Sequence, residues 1–249
     1  MLLHLLLTLL PIFSSTMSSI QADAPSSFVL IGDSTTAVDG GWGDGFCGTP
    51  AIASVLKTGT PCNNTARSGA TTGSFVADGS WNISIDAIKR ETAKGRKTYV
   101  TLQFGHNDQK IAPPESMGAN LTVMVQEVRG LGAVPILVTS LTRRNFHSDG
   151  SIDDILGPWA DETILISQQQ RTHLLDLHAV SIKYCEAIGP EASHRLNLSP
   201  SDNTHLNIDG AIVFARMVAD LMNSSFRGIL PIVPDPELSR NISLGLPSF

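Results

Sequence analysis

Basic residues are scarce in this chain: 17 lysines and arginines stand against 23 aspartates and glutamates among 249 residues, a formal net charge of −6. No stretch gathers the cations into a stripe, so the molecule's field repels phosphate backbones and anionic lipid, and nucleic acid is not expected as a partner. Metal-binding patterns are missing as well. There is no His-Glu-x-x-His and no Cys-x-x-Cys, and His106, His147, His173, His178 and His194 lack ligand spacing, so no metal and no other cofactor is expected. Gly43-Asp44-Gly45-Phe46-Cys47-Gly48 formally fits a dinucleotide fingerprint, but Ser34 separates it from the preceding strand and no acid follows at the required distance. The chain also lacks an apolar run of the ~18 residues that a bilayer span requires. Nothing inside it reads as a linker, which leaves one domain.

Hydrophobic residues make up 42% and charged residues 16%, a composition that can bury a core. Met1 to Ala24 reads as a secretory signal peptide: an apolar run from Leu2 to Phe13, a Ser-rich stretch, then Ala22-Asp23-Ala24 as a small-residue cleavage pattern. Its first residues carry no Lys or Arg, which departs from the usual pattern. Residues 25–249 then form the domain, with no membrane contact after cleavage. Six Asn-x-Ser/Thr sequons, at Asn63, Asn82, Asn120, Asn197, Asn223 and Asn241, fit a secreted, extracellular glycoprotein. Three cysteines permit one disulfide and leave a thiol over. Cys47 with Cys62 is the favoured pair because they flank a short helix-and-turn segment; the alternative is three buried, small apolar groups.

Apolar periodicity predicts strands over 27–31, 61–66, 97–104, 134–139 and 172–177. Helices are expected over 44–57 (its true start set by Pro50), 85–94, 116–131, 157–170 and 208–222, the last capped by Asn207. The tail after Gly228, with three prolines between 231 and 236, is expected to be extended. Strands alternating with helices argue for an α/β fold with a parallel sheet covered on both faces. Such sheets place ligands at the carboxyl ends of their strands. Ser34, Asn107 and the segment Ser140 to Arg144 all follow strands and so share one rim; the loop holding Asp202 and His205 has to fold over it.

These positions supply the chemistry of acyl transfer. A serine hydroxyl is a poor nucleophile unless a base takes its proton and an acid orients that base, which is what Ser34, His205 and Asp202 would provide. Asn107 offers an amide donor for an oxyanion, and Asp33 is placed to hold the turn beneath Ser34. Arg143 and Arg144, after the fourth strand, are candidates for meeting substrate carboxylates, with a solvated loop as the alternative. Taken singly, each of these residues has a structural reading: Ser34 as a cap or turn residue, Asp202 as a turn cap, Asn107 as a loop stabiliser and His205 as an ordinary surface histidine. Their order along the chain is what favours catalysis.

Four segments, Gly32-Asp33-Ser34, Asn64-Thr65-Ala66-Arg67-Ser68-Gly69, Gly105-His106-Asn107-Asp108 and Asp202-Asn203-Thr204-His205, resemble the blocks of the GDSL, or SGNH, hydrolase family. Within that family the chain looks most like the rhamnogalacturonan acetylesterase branch of fungal type. The likeness extends from residue 28 to residue 222. It implies a three-layer α/β/α sandwich on a five-stranded, flavodoxin-like parallel sheet, a serine esterase, and an oxyanion hole formed by the Ser34 N–H, the Gly69 N–H and the Asn107 side chain. It also implies an acetylated pectic polysaccharide as substrate; a monomer is expected. A short-chain ester or lipid hydrolase on the same site, and a catalytically silent carbohydrate-binding protein, are the competing readings.

Overall fold

The structure, a computed structural model, describes residues 24–249; the expected signal peptide lies outside the described residues save for Ala24. In chain order the elements are β1 (Ser26–Gly32), α1 (Gly43–Cys47), β2 (Cys62–Asn64), α2 (Thr72–Ala77), α3 (Ser80–Ala93), β3 (Lys97–Gln103), α4 (Pro114–Gly130), β4 (Val134–Val138), α5 (Gly157–Gln169), β5 (His173–Leu175), α6 (Leu177–His194), α7 (Ile208–Ser225) and α8 (Pro236–Leu244). A short 3-10 turn, Asp108–Lys110, follows β3. The five strands form one parallel sheet in the order β2-β1-β3-β4-β5.

Alternation along the strands divides the core into two layers. Phe28 and Leu30 point to one face with Tyr99, Ile136, Val138 and Leu175, and α1, α6 and α7 cover them. Val29 and Ile31 point to the other with Val100, Leu102 and Leu137, under α2, α3, α4 and α5. Strands buried on both sides read as continuous apolar runs, which is why 27–31 and 134–138 are legible as they stand. The chain runs from β1 out to β2 and then crosses back to β3 on β1's other side, which makes the crevice at the carboxyl ends of β1 and β3 the place where a ligand is expected.

Four expectations are corrected. Only Gly43–Cys47 of the helix expected over 44–57 is helical: Gly48, at φ 83°, ends it, and Pro50 starts none. The following residues are drawn instead to the C-terminal segment, where Leu56 bridges Ile232, so tertiary contacts rather than a helix bury Ile52 and Leu56. The tail is not extended throughout. Asp235 accepts a hydrogen bond from the Leu238 N–H and Pro236 occupies the first turn, so the third of those prolines opens α8. Helices α2 and α6 were not foreseen, the second being broken at Gly189 (φ 79°) ahead of Pro190.

Cys47 is disulfide-bonded to Cys62, tying α1 to the edge strand, while Cys185 is a buried free thiol. The glycines of the 43–48 fingerprint serve packing. A Cβ on Gly45 would collide with the Ala211 carbonyl of α7, and one on Gly43 with the Thr36 carbonyl.

Candidate active site

The turn after β1 is fixed by its own backbone and by the end of β3. Gly32 is required because a Cβ there would lie 2.6 Å from the Gln103 carbonyl oxygen. The Thr36 and Ala37 N–H groups donate to the Asp33 carbonyl at 3.1 and 3.0 Å, and Asp33 Oδ1 accepts the Thr35 N–H (2.9 Å) and hydroxyl (2.8 Å). Asp33, Thr35 and Thr36 are fully buried, so Ser34 is the residue that this turn lifts out of the sheet. Asp33 thus braces the turn on which Ser34 stands. Its Oδ2 lies 3.5 Å from His106 Nδ1. Burial pushes the Asp33 carboxyl up, but His106 and the Thr35 hydrogen bonds outweigh it and hold the group below the ordinary value.

Gln103, at the end of β3, locks the same turn. Its Oε1 accepts from Trp42 Nε1 and from the Thr36 hydroxyl (3.2 Å), while Nε2 donates to Thr35 Oγ1 at 2.7 Å. Asn64, just after the edge-strand cysteine, donates to the Thr36 carbonyl at 2.7 Å. Nothing in the sequence signals the Gln103 role, since a glutamine in an apolar strand carries no motif.

The Asp202–His205 loop does fold over the rim. His205 Nε2 is 2.9 Å from Ser34 Oγ, and Nδ1 is 2.8 Å from Asp202 Oδ2. A carboxylate can only accept, so Nδ1 carries the proton and Nε2 is left to receive one from the serine. Asp202 Oδ1 accepts the Thr204 and His205 N–H groups at 3.0 and 2.9 Å. Burial raises the Asp202 carboxyl, yet the His205 backbone and imidazole with the Thr204 N–H outweigh it and leave it below its ordinary value.

Arg144 does not meet substrate. It is fully buried, with Nε on Asn197 Oδ1 at 2.5 Å and Nη2 on the His205 carbonyl at 2.6 Å, and its guanidinium lies 6.0 Å from the Phe214 ring centroid. Burial lowers its pKa to about 10, with Cys185 and Asp202 partly offsetting the fall. Asn197 donates in turn to Asn203 (2.8 Å), and Asn203 to Asn145 (2.8 Å). The expected substrate ligand is therefore a clamp on the histidine loop. Asn197, counted among the sequons, lies inside that clamp, 5% exposed.

On the opposite side of Ser34, Arg67 donates its N–H to the Gly32 carbonyl at 2.9 Å, so the chain beyond β2 runs beside the end of β1 and brings Gly69 to the rim. Gly69 sits at φ 78° with open space where a Cβ would be; its left-handed backbone, not a close approach, is what calls for glycine. Asn107 Nδ2 donates to the Ala70 carbonyl at 3.0 Å, and Lys110 Nζ donates to Asn107 Oδ1 at 3.0 Å. With Lys110 on its oxygen, the amide is oriented by both partners, and the second N–H of Nδ2 has no protein acceptor among the described residues. Among the described residues, the Ser34 and Gly69 N–H groups have no protein acceptor.

Ser34, Gly69, Asn107, Lys110, Arg143 and His205 share a cleft of about 290 Å³ that no aliphatic side chain lines. Arg143 is half-buried there, with Nη2 on the His106 carbonyl at 3.1 Å and Nη1 at 3.5 Å from Thr204 Oγ1. The structure thus brings Ser34, His205, Asp202, Gly69, Asn107 and Arg143 together and removes Arg144. Lys110 went unnoticed in the sequence because a lysine in a polar turn looks solvated.

Comparison with known proteins places these residues in context. The model of the GDSL-like lipase/acylhydrolase family matches residues 30–211. Rhamnogalacturonan acetylesterase RhgT of Bacillus subtilis is 34% identical over 218 residues, 79% of this chain and 89% of that protein. The crystal structure of the YxiM protein from Bacillus subtilis superposes with a TM-score of 0.67 at 24% identity, over 84% of this chain and 59% of that one. The acetylxylan esterase Axe2 of Geobacillus stearothermophilus superposes at 0.58 and 18% identity, over 80% of this chain and 95% of that one. At these identities the two structural likenesses speak for the fold alone.

Proposed function

The chain belongs to the GDSL-like lipase/acylhydrolase family and is a serine esterase, and on that premise we propose that it removes acetyl groups from pectic rhamnogalacturonan through an acetyl-enzyme on Ser34. The observation that carries the reading is the line Ser34 Oγ, His205 Nε2, Nδ1, Asp202 Oδ2, with links of 2.9 and 2.8 Å, opening on a small cleft without aliphatic walls. A two-carbon acyl group fits such a space; a long acyl chain finds no Val, Leu, Ile, Met or Phe side chain to pack against.

In this mechanism His205 takes the Ser34 proton as Oγ attacks the acetyl carbonyl, and the oxyanion is held by the Ser34 and Gly69 N–H groups and Asn107 Nδ2. The imidazolium then protonates the departing sugar oxygen as the C–O bond breaks. Water enters, gives a proton to His205 and attacks the acetyl-enzyme, and the second oxyanion collapses as the imidazolium returns that proton to Ser34 Oγ, releasing acetic acid that ionises to acetate. Asp202 fixes the tautomer and stabilises the imidazolium throughout. The choice of polysaccharide leans on the relative's name, rhamnogalacturonan acetylesterase. Export is proposed on two grounds, the leader-like N-terminus and the Cys47–Cys62 disulfide, which an oxidising compartment allows to persist.

A panel of acetyl, butyryl and octanoyl nitrophenyl esters, run beside acetate release from acetylated pectin, tests the reading. We expect at least tenfold preference for acetyl over octanoyl, as roughly 1.4 kcal/mol of discrimination gives, with acetate released from the glycan. Preference for the octanoyl ester would point to a lipid hydrolase. Glycan binding without acetate release or labelling of Ser34 by an organophosphonate would point to a silent binding protein.

A further inference from the structure

Two cations face the nucleophile in a protein whose net charge is −6. Lys110 reaches the cleft from the turn after β3 and Arg143 from the loop after β4, on strands adjacent in the sheet. Neither has a carboxylate within 4.0 Å among the described residues. Asp33 and Asp202 act on Arg143 at longer range, but Asp33 is buried beside His106, Asp202 stands behind His205, and neither lines the cleft. Arg143 is the better prepared of the two: the His106 carbonyl and the Thr204 hydroxyl fix its guanidinium, and Nη1 and Nη2 each keep a second N–H for a ligand. Lys110 rests on the neutral Asn107 oxygen and leaves donors to spare.

We infer that Lys110 and Arg143 read a free carboxylate on the alcohol side of the ester, so that the enzyme requires acetylated uronate whose carboxyl group is ionised. The inference rests on the glycan reading above and goes beyond it by naming the chemical state of the sugar. A planar guanidinium grips a carboxylate with two parallel hydrogen bonds and an ammonium adds a point charge; a carboxyl methyl ester is neutral and offers neither partner. Where uronate carboxyls are methyl-esterified, hydrolysis of those methyl esters therefore has to precede deacetylation. The two cations also offset, at the one place that matters, the repulsion that an acidic protein exerts on a polyanion.

The test compares acetate release from acetylated galacturonate-containing oligosaccharides with free carboxyl groups and from the same oligosaccharides after methyl esterification. The wild type is expected to show kcat/KM roughly 10–100-fold higher on the free acid, the scale of a charge-assisted hydrogen bond, and this advantage should shrink as salt is raised. Lys110→Met and Arg143→Met should each reduce the ratio between the two substrates, with part of it restored in Lys110→Arg and Arg143→Lys. Equal rates of the wild type on both forms overturn the inference while leaving the pectic esterase reading intact, and need no variant to fold. A ratio that persists in both Met variants overturns it as well. Acetate from neither form, with nitrophenyl acetate still hydrolysed, defeats both readings together.

Discussion

Ser34 stands on a turn sealed into the sheet, whereas its partner His205 rides on an irregular loop fastened by side chains. On the serine side the fixing atoms are mostly backbone or fully buried: the Asp33 carbonyl, the Gly32 approach to β3, and Gln103 reaching Trp42, Thr35 and Thr36. On the histidine side the loop is held by Arg144, Asn197, Asn203 and Asn145, a chain of polar contacts that ends on the His205 carbonyl. Ser34 is thus positioned by backbone and core, and His205 by a network of side chains in which Arg144 and Asn197 are buried and Asp202 is partly exposed. Loss of Gln103 should register in stability, loss of Asp202 in rate.

Asp202→Asn tests the histidine side most severely. The amide oxygen can still accept the Thr204 and His205 N–H groups, but its nitrogen facing Nδ1 favours the wrong imidazole tautomer. By analogy with serine proteases, kcat on nitrophenyl acetate should fall about 10⁴-fold with thermal stability nearly unchanged. A loss below tenfold would take Asp202 out of the mechanism.

Gln103→Leu is the complementary case. It leaves the buried Trp42 Nε1 without its acceptor, and one such orphan costs about 1–3 kcal/mol, or several degrees of melting temperature in a domain of this size. Calorimetry should record that loss while kcat per folded molecule changes far less than in Asp202→Asn. A variant as stable as the wild type would erase the contrast.

The smallest effect is on acid stability. Because the Asp202 carboxyl lies below its ordinary value of 3.8 in the folded protein, the unfolded chain takes up its proton first as pH falls. Its stabilisation is complete above about pH 5 and drains away as pH falls through the folded value. The gap in urea midpoint between wild type and Asp202→Asn should therefore be constant near neutrality and narrow below the ordinary value. A gap that widens in acid would mean the shift runs the other way.

Much of this arrangement was legible in the sequence because the candidate site residues lie in blocks whose order is informative, and because strands buried on both faces announce themselves as apolar runs. The two adjacent arginines show where that reading ends. Both follow β4 in a polar loop, and only the folded chain reveals that Arg143 turns outward and Arg144 inward toward Asn197 and Phe214. Residues 48–57 failed for a related reason: their apolar spacing suits a helix, but a disulfide at Cys47 and a bridge from Leu56 to Ile232 claim the segment first. Pro236 is ambiguous in the sequence because proline suits an extended segment and the first turn of a helix alike.

The disulfide carries a practical lesson for handling the protein. It closes a separation of 15 residues, and in the chain-entropy account a loop of that size is worth about 3 kcal/mol, so thiol reagents in a preparation buffer undercut the enzyme they are meant to protect. Cys185, wholly enclosed and with its thiol pushed up to about 11 by burial, is a poor attacker once the chain has closed around it. Scrambled pairings can arise only before collapse. Oxidation timed to follow compaction, rather than to accompany it, is the route to a homogeneous product.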